Sequence, residues 1–125
     1  MQVTSYIFVL LAALLSCAMA APAASVQRRS QSYSGDGTYY SVGLGSCGKH
    51  NEDSEMVAAL NAPQMGDNKE CGQTAKVKGP NGSVTVKIVD TCPECDHGSL
   101  DLSPSAFKKI GDMEDGRIDI SWEWA

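Results

Sequence analysis

The chain has 125 residues, with 10 lysines and arginines against 15 aspartates and glutamates and a net charge of −5. An acidic composition without a basic stripe argues against nucleic acid as a partner. No internal repeat, charge block or heptad interrupts it, and the length suits one small domain.

The N-terminus points to a compartment. Residues 7–15 read IFVLLAALL, an apolar run followed by the small-x-small site Ala18, Met19, Ala20, which predicts a secretory signal peptide over 1–20. The run is shorter than the about 20 apolar residues of a membrane span, so no membrane association is expected. Residues 21–34 are rich in Ala, Ser and Gln and lack a core pattern. They read as a linker or propeptide, with the dibasic pair Arg28-Arg29 as a candidate second processing site. The folded domain is expected over 35–125, secreted to the extracellular space or cell wall. At that size burial alone gives modest stability, and secreted domains commonly add disulfides.

Along the folded part, GTYYSVG at 37–43 predicts a strand, and SEMVAALN at 54–61 either one helical turn or a short strand. TAKVKG alternates Ala75 and Val77 with lysines, and SVTVKIVD alternates Val84, Val86 and Ile88 with Thr85, Lys87 and Val89. The GPNGS between them supplies Pro and Asn-Gly, a hairpin signal. In SPSAFKKIG, Ser103 caps a short helix, Pro104 takes its first position, Phe107 and Ile110 bury, Lys108 and Lys109 suit the last turn, and Gly111 stops it. In RIDISWEW, Ile118, Ile120, Trp122 and Trp124 alternate with Arg117, Asp119, Ser121 and Glu123, which predicts a strand with one buried face. That face assigns both tryptophans to the core rather than to a sugar-stacking platform. Many short strands with one or two short helices suggest a small, mostly-β closed barrel, since closure removes exposed edges.

Cys17 falls in the signal peptide, leaving Cys47, Cys71, Cys92 and Cys95. An even count in an oxidising compartment predicts two disulfides, with three pairings open. A structural zinc site asks for two close pairs, and only Cys92 and Cys95 are close. A redox CxxC opens a helix in a thioredoxin-like context, whereas here Pro93 lies inside the motif and a turn follows. No metal and no cofactor is expected. His50 and His97 stand isolated and read as surface residues. Asn81-Gly82-Ser83 is an N-glycosylation sequon in the predicted turn. Two carboxylates stand out. Asp101 precedes the capped helix, where an Asp can satisfy orphan backbone N–H groups, and Asp90 ends a strand before a turn.

Taken in order, GTYYSVGLGSCG, CGQTAKVKGPNGSVTVKIVDTCPEC, LDLSPSAFKKIG and GRIDISWEW resemble the double-psi β-barrel of expansins, barwin and rare-lipoprotein-A-like proteins. The nearest likeness is to short single-domain expansin-like proteins secreted by fungi, including the loosenins. The resemblance covers about residues 37–125 and implies a six-stranded double-psi β-barrel. It implies the pairing Cys47–Cys71, with Cys92–Cys95 closing a local loop; Cys47–Cys95 with Cys71–Cys92 is the alternative. It places Thr38, Tyr40, Asp90 and Asp101 in a polysaccharide groove. Tyr39 and Tyr40 point to opposite faces of a strand, so only one is expected to face that groove.

In related endoglucanases the residue matching Asp101 is the general acid, and a second Asp, the general base, closely follows the aromatic pair. TYYSVGLG holds no carboxylate there. Inverting hydrolysis needs two carboxyl groups roughly 6.5–9.5 Å apart. Asp36 and Asp53 are the available substitutes, and neither matches the pattern. Lytic relatives use a His and a Glu; Asn61 falls where the His would be, and Glu52 or Glu55 matches the Glu only loosely. No residue is therefore assigned as catalytic, and Asp101 is an acid-like candidate without its base. The resemblance implies a secreted monomer that binds cell-wall polysaccharide (β-glucan, cellulose, chitin or a peptidoglycan-like glycan) and loosens it without hydrolysis. The flat aromatic second domain that serves expansins for cellulose does not occur in these 125 residues, so tight binding to crystalline cellulose is not expected. The alternative is a protein-binding module, a papain-type protease inhibitor or host-directed effector. A weak glycan-cleaving enzyme is the third reading.

Overall fold

The computed structural model describes residues 31–125. The predicted signal peptide, its cleavage after Ala20 and the Arg28-Arg29 pair lie outside the described residues. Strand β1 spans Ser32–Tyr39 and β2 Val57–Asn61, followed by the one-turn helix α1, Ala62–Met65. The hairpin β3, Thr74–Gly79, and β4, Gly82–Cys92, comes next. Then come β5, Leu100–Leu102, helix α2, Pro104–Ile110, a 3-10 turn at Met113–Asp115, and β6, Ile118–Trp124.

The strands close into a barrel in the order β1-β5-β2-β4-β3-β6. The β1/β5 and β2/β4 pairs are parallel and the other four antiparallel. This closed, mixed six-stranded sheet with two crossing parallel pairs is a double-psi β-barrel. Alternation drives it. The inward residues Val77, Val86, Ile88, Ile120 and Trp122 join Leu60, Leu100 and Leu102 in one apolar cluster. Helix α2 drives Phe107 and Ile110 into that cluster, both fully buried. Ser103 caps α2 by accepting from the Ala106 N–H. Its own hydroxyl donates to the Glu55 carbonyl at 2.6 Å, which ties the helix start to the segment before β2.

Both tryptophans are buried. Trp122 stacks on Tyr33 at 4.7 Å and donates its indole N–H to the Gly98 carbonyl at 2.9 Å, which satisfies the polar end of a core ring. The disulfides are Cys47–Cys71 and Cys92–Cys95, with Cα–Cα distances of 5.6 and 5.4 Å. The first closes a loop whose ends are 24 residues apart, worth about 3 kcal/mol in the chain-entropy model.

The first strand and the linker boundary need correction. The first strand starts at Ser32 and ends at Tyr39, rather than running over 37–43. Residues 32–34, read from sequence as linker, pair with Ser121, Trp122 and Glu123 of β6. Their Ser-Tyr-Ser-Gly composition hides this, because the inner face of β1 carries glycine where a strand normally carries a branched apolar residue. At Gly37 a Cβ would lie 2.8 Å from the Ile120 side chain. SEMVAALN resolves as a strand, all five residues of β2 being buried. Strand β5 was not read at all: three residues are too short for a period to register.

Candidate functional site

The site begins as a register. Thr38 of β1 lies opposite Asp101 of β5, Asp101 opposite Ala59 of β2, and Ala59 opposite Asp90 of β4. Cross-strand partners share a face, and Ala58, not Ala59, belongs to the interior cluster. Thr38, Asp101, Ala59 and Asp90 therefore form one row across the outside of the barrel, spanning about 14 Å over three strand spacings. Ala59 keeps the middle of the row low between two carboxylates.

Those carboxylates are held differently. Asp101 is half-buried and accepts one hydrogen bond, from the Thr38 hydroxyl at 2.8 Å. Its pKa is raised, first by burial, with the nearby Glu94 and Asp90 charges adding; the Thr38 hydroxyl and Arg117 pull it back. Asp90 is saturated. Its Oδ1 accepts from the backbone N–H groups of Ser46 at 2.9 Å and Thr91 at 2.8 Å, and its Oδ2 from the Tyr40 hydroxyl at 3.4 Å. Burial, then the Asp90 charge, pushes the Tyr40 pKa well up, so the phenol stays a donor. The loop that supplies the Ser46 N–H lies directly on β4. A Cβ at Gly45 would meet the Val89 carbonyl oxygen at 2.3 Å, so only glycine fits there.

Beside Asp101 opens a cleft of about 240 Å³. Its walls are Asp36, Thr38 and Tyr39 of β1, Ser99, Asp101, Arg117, and the loop carrying Glu94 and Asp96 between and after the Cys92–Cys95 pair. Asp36 pairs with Arg117 at 3.0 Å, both side chains largely exposed, a pair worth about 0–1 kcal/mol.

The four sequence-predicted groove residues thus lie close together. Thr38 and Asp101 line the cleft, while Tyr40 and Asp90 meet on the other side of Ala59. Tyr39 lines the cleft as well, with its ring 4.8 Å from that of Phe107 and its hydroxyl donating to the Met113 carbonyl. Of the two tyrosines only Tyr39 lines the cleft, whereas Tyr40, the one the resemblance placed in the groove, lies past the end of β1 and meets Asp90. Glu94, Ser99 and Arg117 were missed. Arg117 reaches Asp36 from 81 residues away, and no local spacing announces that.

Of the substitutes for a general base, Asp36 shares the cleft with Asp101, but its carboxylate is engaged by Arg117. Asp53 instead accepts from the Val42 N–H at 2.7 Å in a separate loop. Asn61 is fully buried. It caps α1 by accepting from the Gln64 N–H and donates to the Ser99 carbonyl at 2.9 Å. Glu55 folds back onto the Glu52 N–H and the Asn51 amide, contacts that lower its pKa. Among the described residues no group of three or more His, Cys, Asp and Glu is placed to hold a metal.

Comparison with known proteins gives a consistent placement. Residues 32–122 match the double-psi β-barrel family model described as lytic transglycolase. Expansin-YoaJ of Bacillus subtilis is 53% identical over 51 residues, which is 41% of this chain and 22% of that protein. The papain inhibitor of Streptomyces mobaraensis is 30% identical over 114 residues, 84% of this chain and 80% of that protein. A mutant Clavibacter michiganensis expansin, solved in complex with cellohexaose, superposes with a TM-score of 0.72 at 32% identity, covering 76% of this chain and 50% of its own. The chain therefore spans half or less of the expansins it matches.

Proposed function

The chain belongs to the expansin-like double-psi β-barrel family, and we propose that it binds cell-wall polysaccharide along the outer row of the barrel and loosens it without cleaving it. The observation that carries this reading is Asp101: a half-buried carboxyl beside an open cleft, with a hydroxyl as its hydrogen-bond partner. Protonated, it donates to a glycan oxygen; ionised, it accepts from a glycan hydroxyl. Either way it competes with the contacts one glycan chain makes with another. Thr38 orients it, and Tyr40 and Asp90 form the neighbouring polar wall. Glycan identity is open among β-glucan, cellulose, chitin and peptidoglycan-like chains, the cellohexaose complex of the Clavibacter relative being a reason to include cellulose oligomers. Two disulfides fit an oxidising, extracellular setting.

No efficient bond cleavage is expected, since TYYSVGLG holds no carboxylate at the position of the general base in the related endoglucanases. Reducing-end release from soluble β-glucan and peptidoglycan is expected at background. The test of the main reading is retention of wild type and Asp101→Ala on chitin, cellulose and extracted wall glycans. Loss of retention in the variant supports it, and equal retention of both removes the row from the mechanism. A second reading, inhibition of a papain-type protease, has the papain inhibitor in its favour, the relative that matches 84% of the chain. Papain assayed with micromolar protein separates it: inhibition unaffected by Asp101→Ala would replace the glycan reading.

A further inference from the structure

Asp90 has polar neighbours beyond the row. Next to its Oδ1, which the Ser46 and Thr91 N–H groups bind, while Tyr40 meets Oδ2, stand three neutral polar side chains. The Ser46 and Thr91 hydroxyls are 2.7 Å apart. The Asn68 Oδ1 lies 3.2 Å from the Ser46 hydroxyl and 3.5 Å from the Thr91 hydroxyl. The Asn68 amide NH2 returns to the Ser46 carbonyl at 3.2 Å. Ser46 and Asn68 are exposed and Thr91 half-exposed.

This shelf is fixed from three directions. The Ser46 and Thr91 N–H groups both bind Asp90 Oδ1. Gly45 lets the loop sit directly on the Val89 carbonyl. The Cys47–Cys71 bridge clamps the residue after Ser46 to the turn after Asn68, where the Cys71 N–H also bonds the Asn68 carbonyl. Asn68 itself holds φ at +59°, a left-handed conformation a non-glycine residue seldom takes.

We propose that Ser46, Asn68 and Thr91 form a further sugar subsite, so that one glycan chain lies across the barrel from the Asp101 cleft, over Asp90, to this shelf. This rests on the polysaccharide reading above. The chemistry suits uncharged sugar hydroxyls: a planar amide with both donors and acceptor, flanked by two hydroxyls that donate or accept, none carrying charge. Because the shelf is already immobilised, binding there loses little side-chain entropy. A short oligosaccharide fills one end, and only a longer one reaches both.

The test compares oligosaccharides of three and six units, cello- and chito-series, by calorimetry on wild type, Ser46→Ala and the double variant Ser46→Ala/Asn68→Gly. Glycine keeps the left-handed backbone at 68, and alanine at 46 keeps the N–H that Asp90 needs. Wild type is expected to bind the six-unit ligand more tightly than the three-unit one, and the double variant to lose roughly tenfold of that preference, two hydrogen-bonding groups being removed. Ser46→Ala, which leaves the backbone contacts in place, is expected to lose part of it. Asp101→Ala instead weakens both lengths. An unchanged six-over-three preference in both variants, or no preference in wild type, overturns the subsite while leaving the Asp101 reading standing. No binding of either length by wild type overturns both.

Discussion

Inside the barrel, Phe107, Leu60, Ile88 and Leu102 are fully buried in one apolar cluster. On the outside of the same strands, Asp101 sits half-buried with one hydroxyl partner, two strands from an Asp90 that has three donors. The interior is arranged for stability, and Asp90 follows the rule that a shielded polar group has its hydrogen bonds made. Asp101 follows it with a single hydroxyl donor and a half-open carboxyl. Its raised pKa means that the fold works against its ionised form, a pattern concentrated at functional sites. Polar content alone does not mark a site; the way each carboxylate is satisfied separates a structural acid from one kept for a ligand.

The largest effect expected is on the interior. Phe107→Ala should lower the unfolding free energy by about 3–5 kcal/mol, read as a fall in the urea midpoint with little change in slope. A shift under 1 kcal/mol would mean that α2 is not the plug of the barrel.

Next is the clamp beneath the outer row. The double variant Cys47→Ala/Cys71→Ala should lose about 3 kcal/mol, again by urea denaturation. Its loss should exceed that of Cys92→Ala/Cys95→Ala, whose ends are only three residues apart.

The contrast between the two carboxylates is then direct. Asp90→Ala strands two backbone N–H groups and should destabilise by about 1–3 kcal/mol. Asp101→Ala frees only a hydroxyl that can turn to water, and should be neutral or slightly stabilising. Equal losses would erase the distinction drawn above.

The smallest effect is the pH dependence at Asp101. Burial raises its pKa in the folded state above the unfolded value, so folding favours the protonated form. Its contribution is therefore full below the ordinary carboxylate pKa, near 4, and is lost as pH rises through the raised folded value. Asp101→Asn should melt a few degrees higher than wild type at neutral pH, with the gap closing as pH falls through that window. A gap that widens on acidification would contradict the assigned direction.

The parts of this fold legible in sequence were those with a local period or a local signal. β6 alternates over its full length, Pro80-Asn81 turns the β3–β4 hairpin, and Ser103, Pro104 and Gly111 mark the ends of α2. The disulfide partners and the names of four groove residues came from likeness to a family rather than from any period, and the structure pairs Cys47 with Cys71 and Cys92 with Cys95. The first strand was misplaced because its inner face is glycine and tyrosine, a composition that looks like linker until Trp122 is set against it.

By itself, then, the sequence determined the β3–β4 hairpin, the core faces of β3, β4 and β6, and the ends of α2. All of these follow from residues within a few positions of one another, where backbone geometry and side-chain period act directly. Only the tertiary structure decided that Thr38 meets Asp101 across 63 positions and Arg117 meets Asp36 across 81, and that Asp90 has three donors where Asp101 has one. Those outcomes depend on which strands close the barrel and in what register. Register is fixed by packing around the whole circumference, a property that no single stretch of the chain contains.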